Sequence, residues 1–468
     1  MKHELLTLSG TEQGRLLARG ELSSIELIQA HLNRIEEVNP RLNAAVEVLR
    51  ETAIAGAAEA DARRRASKSL GALDGVPFSV KDSIEIRGTV CSAGTLGRKN
   101  AATSVTDATL VARLRGAGAI PIARTNLPDL LFAFESDNLL FGATNNPYDF
   151  TRSAGGSSGG EAALIAACGS PFGLGSDAAG SVRLPAHYCG ITSLKPTQGR
   201  LPRTGHVPAA GGWLEMIWQI GPMARRVEDL CSLMPVLSGA DGQDRSVIPV
   251  PYGRPTEVNL KKLRVAFFVD NGIAAADAET ADVVRRAALA LTPEVALVEE
   301  RTPPGMEASY ELEMKMIGPD GGDGLRAYLR EIGSTRTHPM LDGWLAKLEA
   351  YRTDLAGFAS YWAELDRFRN SMFRFLTEFD VVLSPVAAQP AVPHGHSIRE
   401  EVFRGFSYTM THNLTGWPAG VVRCGISQSG LPIGIQVAAA PWREDVVLAV
   451  LLQLERALGG WSPPKQVD

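Results

Sequence analysis

Cysteine is scarce in this chain, with five residues in 468. Cys91, Cys168, Cys189, Cys231 and Cys424 are odd in number, scattered, and never spaced C-x-x-C. Neither a disulfide framework nor a zinc ribbon is expected, and a reducing cytoplasm is the natural compartment. Long apolar runs are missing as well. The best candidate, Ala162 to Cys168, falls far short of the ~18–20 residues that cross a bilayer. The first ten residues carry no apolar stretch and no small-residue cleavage site, so no secretory leader is expected. Charge of one sign is equally lacking, since 47 basic and 52 acidic side chains leave −5. Phosphate binding needs clustered positive charge, so no nucleic acid and no membrane surface is expected as a partner. Small molecules and other proteins remain, a second copy of the chain in a homodimer among them.

What is present looks globular. Hydrophobic residues make up 45% and charged residues 21%, close to average for soluble domains. Residues 1–70 read as a helical segment packed on the core. Ser23 and Glu26 make a capping box before Ile25, Ile28, Leu32 and Ile35. Asn39-Pro40 is expected to end that helix, and Ala44 to Ala66 to form another. From Gly71 short apolar runs alternate with helical patterns and glycine turns, which is α/β texture. Strands are expected at Val76–Val80, Ile120–Ala123, Val265–Val269, Val381–Leu383 and Ile433–Ala438, with helices at Asp107–Gly116 and Gly160–Cys168. Residues 240–260 read as a turn-rich connection. Residues 306–379 read as a mostly helical insertion, a lid or a packing layer, with Trp344, Leu348, Tyr351 and Leu355 at helical spacing. Length alone suggests about three domains. Strands spread from end to end favour one catalytic domain over 71–468 instead.

Chemistry concentrates between Ser153 and Thr197. Ser153-Ala-Gly-Gly-Ser-Ser-Gly-Gly-Glu161 is followed by an apolar helix and then by Gly175-Ser-Asp-Ala-Ala-Gly-Ser-Val-Arg-Leu-Pro185. A flexible linker has no reason to recur in this way. Gly155-Gly-Ser157-Ser-Gly159 matches the G-x-S-x-G elbow of a Ser-His-Asp α/β-hydrolase, with His394, His396 or His412 as possible bases. Tyr148–Ala154, however, is a poor strand to precede such an elbow. Gly173-Leu-Gly-Ser-Asp-Ala178 matches a loose dinucleotide fingerprint, but Pro185 intervenes where the helix should run. No P-loop occurs. His394-Gly-His396 is the one metal-like spacing, and no third ligand accompanies it.

A third option uses lysine. Val80-Lys81-Asp82, the two glycine-serine turns, and Asn413-Leu-Thr-Gly-x-Pro-Ala together resemble the amidase signature hydrolases. The block from Thr125-Asn-Leu-Pro to Phe141-Gly is similar to their fatty acid amide hydrolase branch. The resemblance implies a large mixed twisted β-sheet covered by helices on both faces. It implies Ser181 as nucleophile, Ser157 as a bridging serine 24 residues earlier after a cis Gly156–Ser157 bond, and Lys81 as base. The backbone N–H groups of Ala178, Ala179, Gly180 and Ser181 would form the oxyanion hole. Ser158, Asp177 and Arg183 would support the site. No metal or cofactor is implied. The chemistry is coherent in itself: serine needs an adjacent base, and lysine serves only when neutral, hence buried. Lys81 follows the apolar run Val76-Pro-Phe-Ser-Val80. Taken alone, it would read as a surface lysine paired with Asp82.

The same resemblance places Leu131, Phe132 and Phe134 along the substrate, with Trp213 and Trp218 as added wall, although ordinary core accounts for such residues equally well. A small-molecule amide, an anilide, an ester or a carbamate (as for a urethanase) would suit this site. The competing reading is the glutaminyl A subunit of a tRNA-dependent amidotransferase, which would handle small, charged glutamine.

Overall fold

A computed structural model of the chain describes residues 2–209 and 211–467. Thirteen strands form among them: β1 (Ala45–Val48), β2 (Pro77–Lys81), β3 (Ile120–Thr125), β4 (Asn145–Asn146), β5 (Asp149–Ser153), β6 (Phe172–Asp177), β7 (Thr192–Lys195), β8 (Gln219–Ala224), β9 (Arg264–Phe267), β10 (Leu297–Glu300), β11 (Val381–Pro385), β12 (Ala419–Ile426) and β13 (Pro432–Ala439). Eleven of them join one mixed sheet in the order β1-β3-β2-β6-β8-β7-β12-β13-β11-β9-β10, and β4 and β5 pair separately. β2 runs parallel to both β3 and β6, while β8 is antiparallel to β6 and β7.

Alternation along the strands sends side chains to two apolar layers. Val80, Ala224, Val422 and Leu383 pack with the helices Thr109–Gly116, Val227–Leu237, Ala278–Leu291 and Glu444–Leu458. On the opposite face, Ile122, Met223 and Val421 meet the helices Ser24–Leu42 and Gly159–Ala166. Farther along that side, Ala266 and Val382 pack under the helices Ser309–Ile317 and Leu355–Phe375. This is the α/β architecture with helices on both faces of a mixed sheet.

Several local expectations need correction. The helix that starts at Ser24 runs through Pro40 to Leu42 and stops at Asn43, which takes a left-handed φ of 51°. The next segment is not all helix. Ala45–Val48 pairs antiparallel with β3 before the helix Arg50–Arg65 begins, because pairing at the sheet edge outweighs helical propensity. Trp344 and Leu348 share the helix Pro339–Glu349, but Leu355 starts another, capped by Asp354 through a 2.8 Å bond to the Gly357 N–H. β6 went unread because glycines weaken a strand. Here a Cβ on Gly173 would lie 1.9 Å from a Glu161 carboxylate oxygen, so only glycine lets that buried acid in.

Candidate active site

The parallel pairing of β2 and β6 brings their carboxyl ends side by side, and chemistry in open α/β sheets gathers at such ends. β2 ends in Lys81, and β6 ends in Ser176 and Asp177. Lys81 is fully buried. Its Nζ lies 2.7 Å from Ser157 Oγ, 2.9 Å from Ser158 Oγ and 3.2 Å from Ser176 Oγ. Burial pushes the Lys81 ammonium well below the usual lysine range, although the Asp177 and Glu161 carboxylates oppose that shift. Asp82 is not its partner. That carboxylate pairs with Arg124, 2.6 Å from Nε and 2.5 Å from an Nη.

Ser157 and Ser158 lie on the turn that leads into Gly159–Ala166, and the Gly156–Ser157 bond is cis. Gly156 is obligatory there, since a Cβ would stand 2.6 Å from Glu135 N and 2.7 Å from Ala133 O. Ser181 follows β6 and lines an open cavity together with Ser157. Among the described residues no hydrogen bond joins the two hydroxyls. The amides of Ala178, Ala179 and Ser181 likewise have no acceptor among the described residues, and all three residues line the cavity. Gly180 departs from expectation. Its N–H is donated to Asp177 Oδ1 at 2.8 Å, so it is not available to a ligand.

Asp177 and Arg183 hold this loop. Arg183 Nε and Nη2 donate to the two Asp177 oxygens at 2.9 and 2.8 Å, and Asn413 Nδ2 adds a 3.0 Å bond. Arg183 also donates to Thr409 O, Gln436 Oε1 and Asn413 Oδ1. Burial opposes the charge on Asp177, but Arg183 and Asn413 outweigh it and hold the acid below the usual carboxylate range. Arg183→Met would strand that carboxylate in the interior. Such a break is expected to cost about 3–5 kcal/mol, read as a lower urea midpoint. An unchanged midpoint would show the pair to be dispensable for the fold.

The cavity has a volume of about 180 Å³. Leu131, Phe132, Phe134 and Trp218 line it as expected, joined by Leu130, Leu214, Ile217, Ile317 and Trp344. Trp344 stands 6.0 Å from both Phe132 and Phe134, so the helical segment contributes one wall. Trp213 does not reach the cavity. It packs edge-on against Phe358 at 5.6 Å. No histidine among the described residues bonds to Ser157 or Ser181, and the three histidines weighed for a Ser-His-Asp site have other neighbours. His394 sits 3.8 Å from Glu135, His396 bonds Arg399 at 2.9 Å, and His412 is buried beside Trp417. Ser176, His206, Ile317 and Trp344 belong to the site without having been singled out for it. Ser176 stands directly before Asp177 in the second turn, which was the available cue. Nothing in sequence spacing ties His206 to Lys81.

Known proteins place the chain in a family. The family model "Amidase" matches residues 26–448. Fatty-acid amide hydrolase 2-A of Danio rerio is 32% identical across 98% of this chain and 90% of its own length. An acylamidase of Rhodococcus erythropolis is also 32% identical, over 98% of this chain and 97% of its own. Relatives of similar identity include A subunits of glutamyl-tRNA(Gln) amidotransferase. The structure of 6-aminohexanoate cyclic dimer hydrolase bound to its substrate superposes with a TM-score of 0.87 at 28% identity, covering 99% of this chain and 100% of that one. The chain therefore belongs to the amidase signature family, and it is a hydrolase acting on carbon–nitrogen bonds.

Proposed function

We propose that the chain hydrolyses small aryl or short-chain acyl amides through Ser181, Ser157 and Lys81. Ser181 Oγ attacks the carbonyl carbon while its proton passes to Ser157, whose own proton passes to neutral Lys81. The serine-to-serine link closes when substrate is bound, as catalytic hydrogen bonds commonly do. The negative oxygen is held by the amides of Ala178, Ala179 and Ser181, fixed donors that need no reorganisation. The proton returns through Ser157 to the leaving nitrogen, the C–N bond breaks, and water then hydrolyses the acyl-enzyme.

The observation that carries the substrate reading is the apolar cavity of about 180 Å³ beside Ser181. An apolar cavity of ~150 Å³ holds one benzene ring, so a single aryl ring or a short chain matches the space. The second reading, a glutaminyl subunit, has its relatives in its favour. It requires a polar side-chain pocket, whereas Leu131, Phe132, Ile217, Ile317 and Trp344 line this one.

A series of acetyl, propionyl, butyryl and hexanoyl anilides tests the assignment. Each buried methylene is worth ~0.8 kcal/mol, or about a fourfold rise in kcat/KM, until the cavity is filled. Leu131→Asp should flatten the rise and spare the acetyl member most. A flat series in the wild-type chain, with fast turnover of glutamine, would make the subunit reading the better one.

A further inference from the structure

We propose that His206, acting through Ser176, orients the hydrogens around Lys81 so that the amine lone pair is left to Ser157. The inference rests on the Ser181–Ser157–Lys81 reading above and makes His206 a positioning residue.

The argument follows the hydrogens one by one. His206 Nδ1 lies 3.0 Å from the Pro208 carbonyl oxygen, which can only accept, so Nδ1 carries the ring proton. Nε2 is therefore an acceptor. It stands 3.0 Å from Ser176 Oγ and 3.1 Å from Ser83 Oγ, and its single lone pair takes the Ser176 hydrogen, the shorter contact, with Ser83 at most sharing it. With its hydrogen committed there, Ser176 Oγ offers only lone pairs to Lys81 Nζ, 3.2 Å away. Ser158 behaves in the same way. Its hydroxyl donates to the Ser176 carbonyl at 3.3 Å and so accepts from Lys81 at 2.9 Å. A neutral amine has two N–H bonds and one lone pair. Ser158 and Ser176 take the two hydrogens, the Ser176 carbonyl at 3.5 Å being a longer acceptor on the same side as its hydroxyl, and the lone pair is left facing Ser157 at 2.7 Å, the side from which the proton must arrive.

Without His206, the Ser176 hydroxyl is free to donate to the lysine lone pair and compete with Ser157. Packing holds the ring in place, with Trp218 at 4.3 Å between centroids. Burial keeps the imidazole neutral, pushed down to about 3, so it remains an acceptor throughout the working range. The charged groups around this chain are Asp177 at the end of β6 and Glu161 on its helix, both facing Lys81. Arg203 and Lys81 face His206.

The test compares His206→Phe, Ser176→Ala and the double variant, with an anilide substrate and a full pH profile. His206→Phe keeps a ring on Trp218 and removes the acceptor. It should lower kcat about tenfold, a typical size for coupled polar neighbours. It should also move the acid limb of kcat/KM to lower pH, because a hydroxyl that donates to the amine favours the neutral form. Ser176→Ala removes an acceptor from the ammonium and should move the limb the same way. The double variant should lie within about twofold of Ser176→Ala alone. Losses that multiply, or an acid limb that stays put in both single variants, would overturn the proposal and leave His206 a packing residue. If His206→Phe does not fold, His206→Gln takes its place in the same comparison: an acid limb displaced to lower pH supports the proposal, and an unmoved limb overturns it. Ser181→Ala in the same assay separates the two levels. Turnover in that variant would defeat the catalytic reading itself, whereas its loss beside an unaffected His206→Phe would defeat only this inference.

Discussion

Ser181→Ala is expected to lower kcat about 10⁵–10⁶-fold, the scale seen when a serine hydrolase loses its attacking oxygen. Labelling by a fluorophosphonate should vanish with it. Ser157 cannot substitute, because its hydroxyl is engaged with Lys81 at 2.7 Å and its residue is only 1% exposed. Folding should be spared, since the Ser181 hydroxyl makes no hydrogen bond among the described residues and losing it removes no structural contact of that kind. Intact-mass measurement after labelling, together with a urea melt, checks both halves. Wild-type labelling that persists in the variant and maps to Ser157 would assign the nucleophile to the first turn instead of the second.

Lys81→Ala should be the next most damaging change, lowering kcat/KM at pH 7 about 10²–10⁴-fold, the usual share of a general base. The wild-type profile has a definite sign. Only neutral Lys81 can accept a proton, so kcat/KM rises with pH through the lysine pKa of the free enzyme. Burial places that rise well below the ordinary lysine value of 10.5, against the pull of Asp177 and Glu161. In Lys81→Ala this limb should be gone, replaced by a slow gain at high pH as hydroxide takes over. Near-normal activity of the variant at pH 7, or a wild-type profile that falls across the same range, would show that lysine is not the base.

Much of the site was legible along the chain because its motifs are local. A serine turn that must approach other backbone needs glycine at fixed places, so Gly156 and its neighbours announce the turn. The pair Asp177 and Arg183 is six residues apart, close enough for one loop to bring them together. Helix starts were also readable, as the Ser23–Glu26 box shows, since capping depends on nearest neighbours.

Other features depended on distance. The same local reading took Ala45–Val48 for helix, because the partner that makes it a strand lies at Ala123–Thr125. It missed β6, whose glycines make sense only beside the Glu161 carboxylate. It took Trp213 and Trp218 as equals, yet one rests on Phe358 and the other on His206 at the cavity. Gly180 belonged by position to the row of oxyanion amides, until a 2.8 Å bond to Asp177 claimed its hydrogen. Residue types and local spacing thus marked the two serine turns, while Lys81 and the reaction class came from the motifs' resemblance to the amidase signature family. Which amides stay free, which aromatics form the wall, and which histidine bonds Ser176 were decided by packing between segments far apart in the chain. Hydrogen-bond direction and cavity shape are properties of that packing, and no single stretch of sequence carries them.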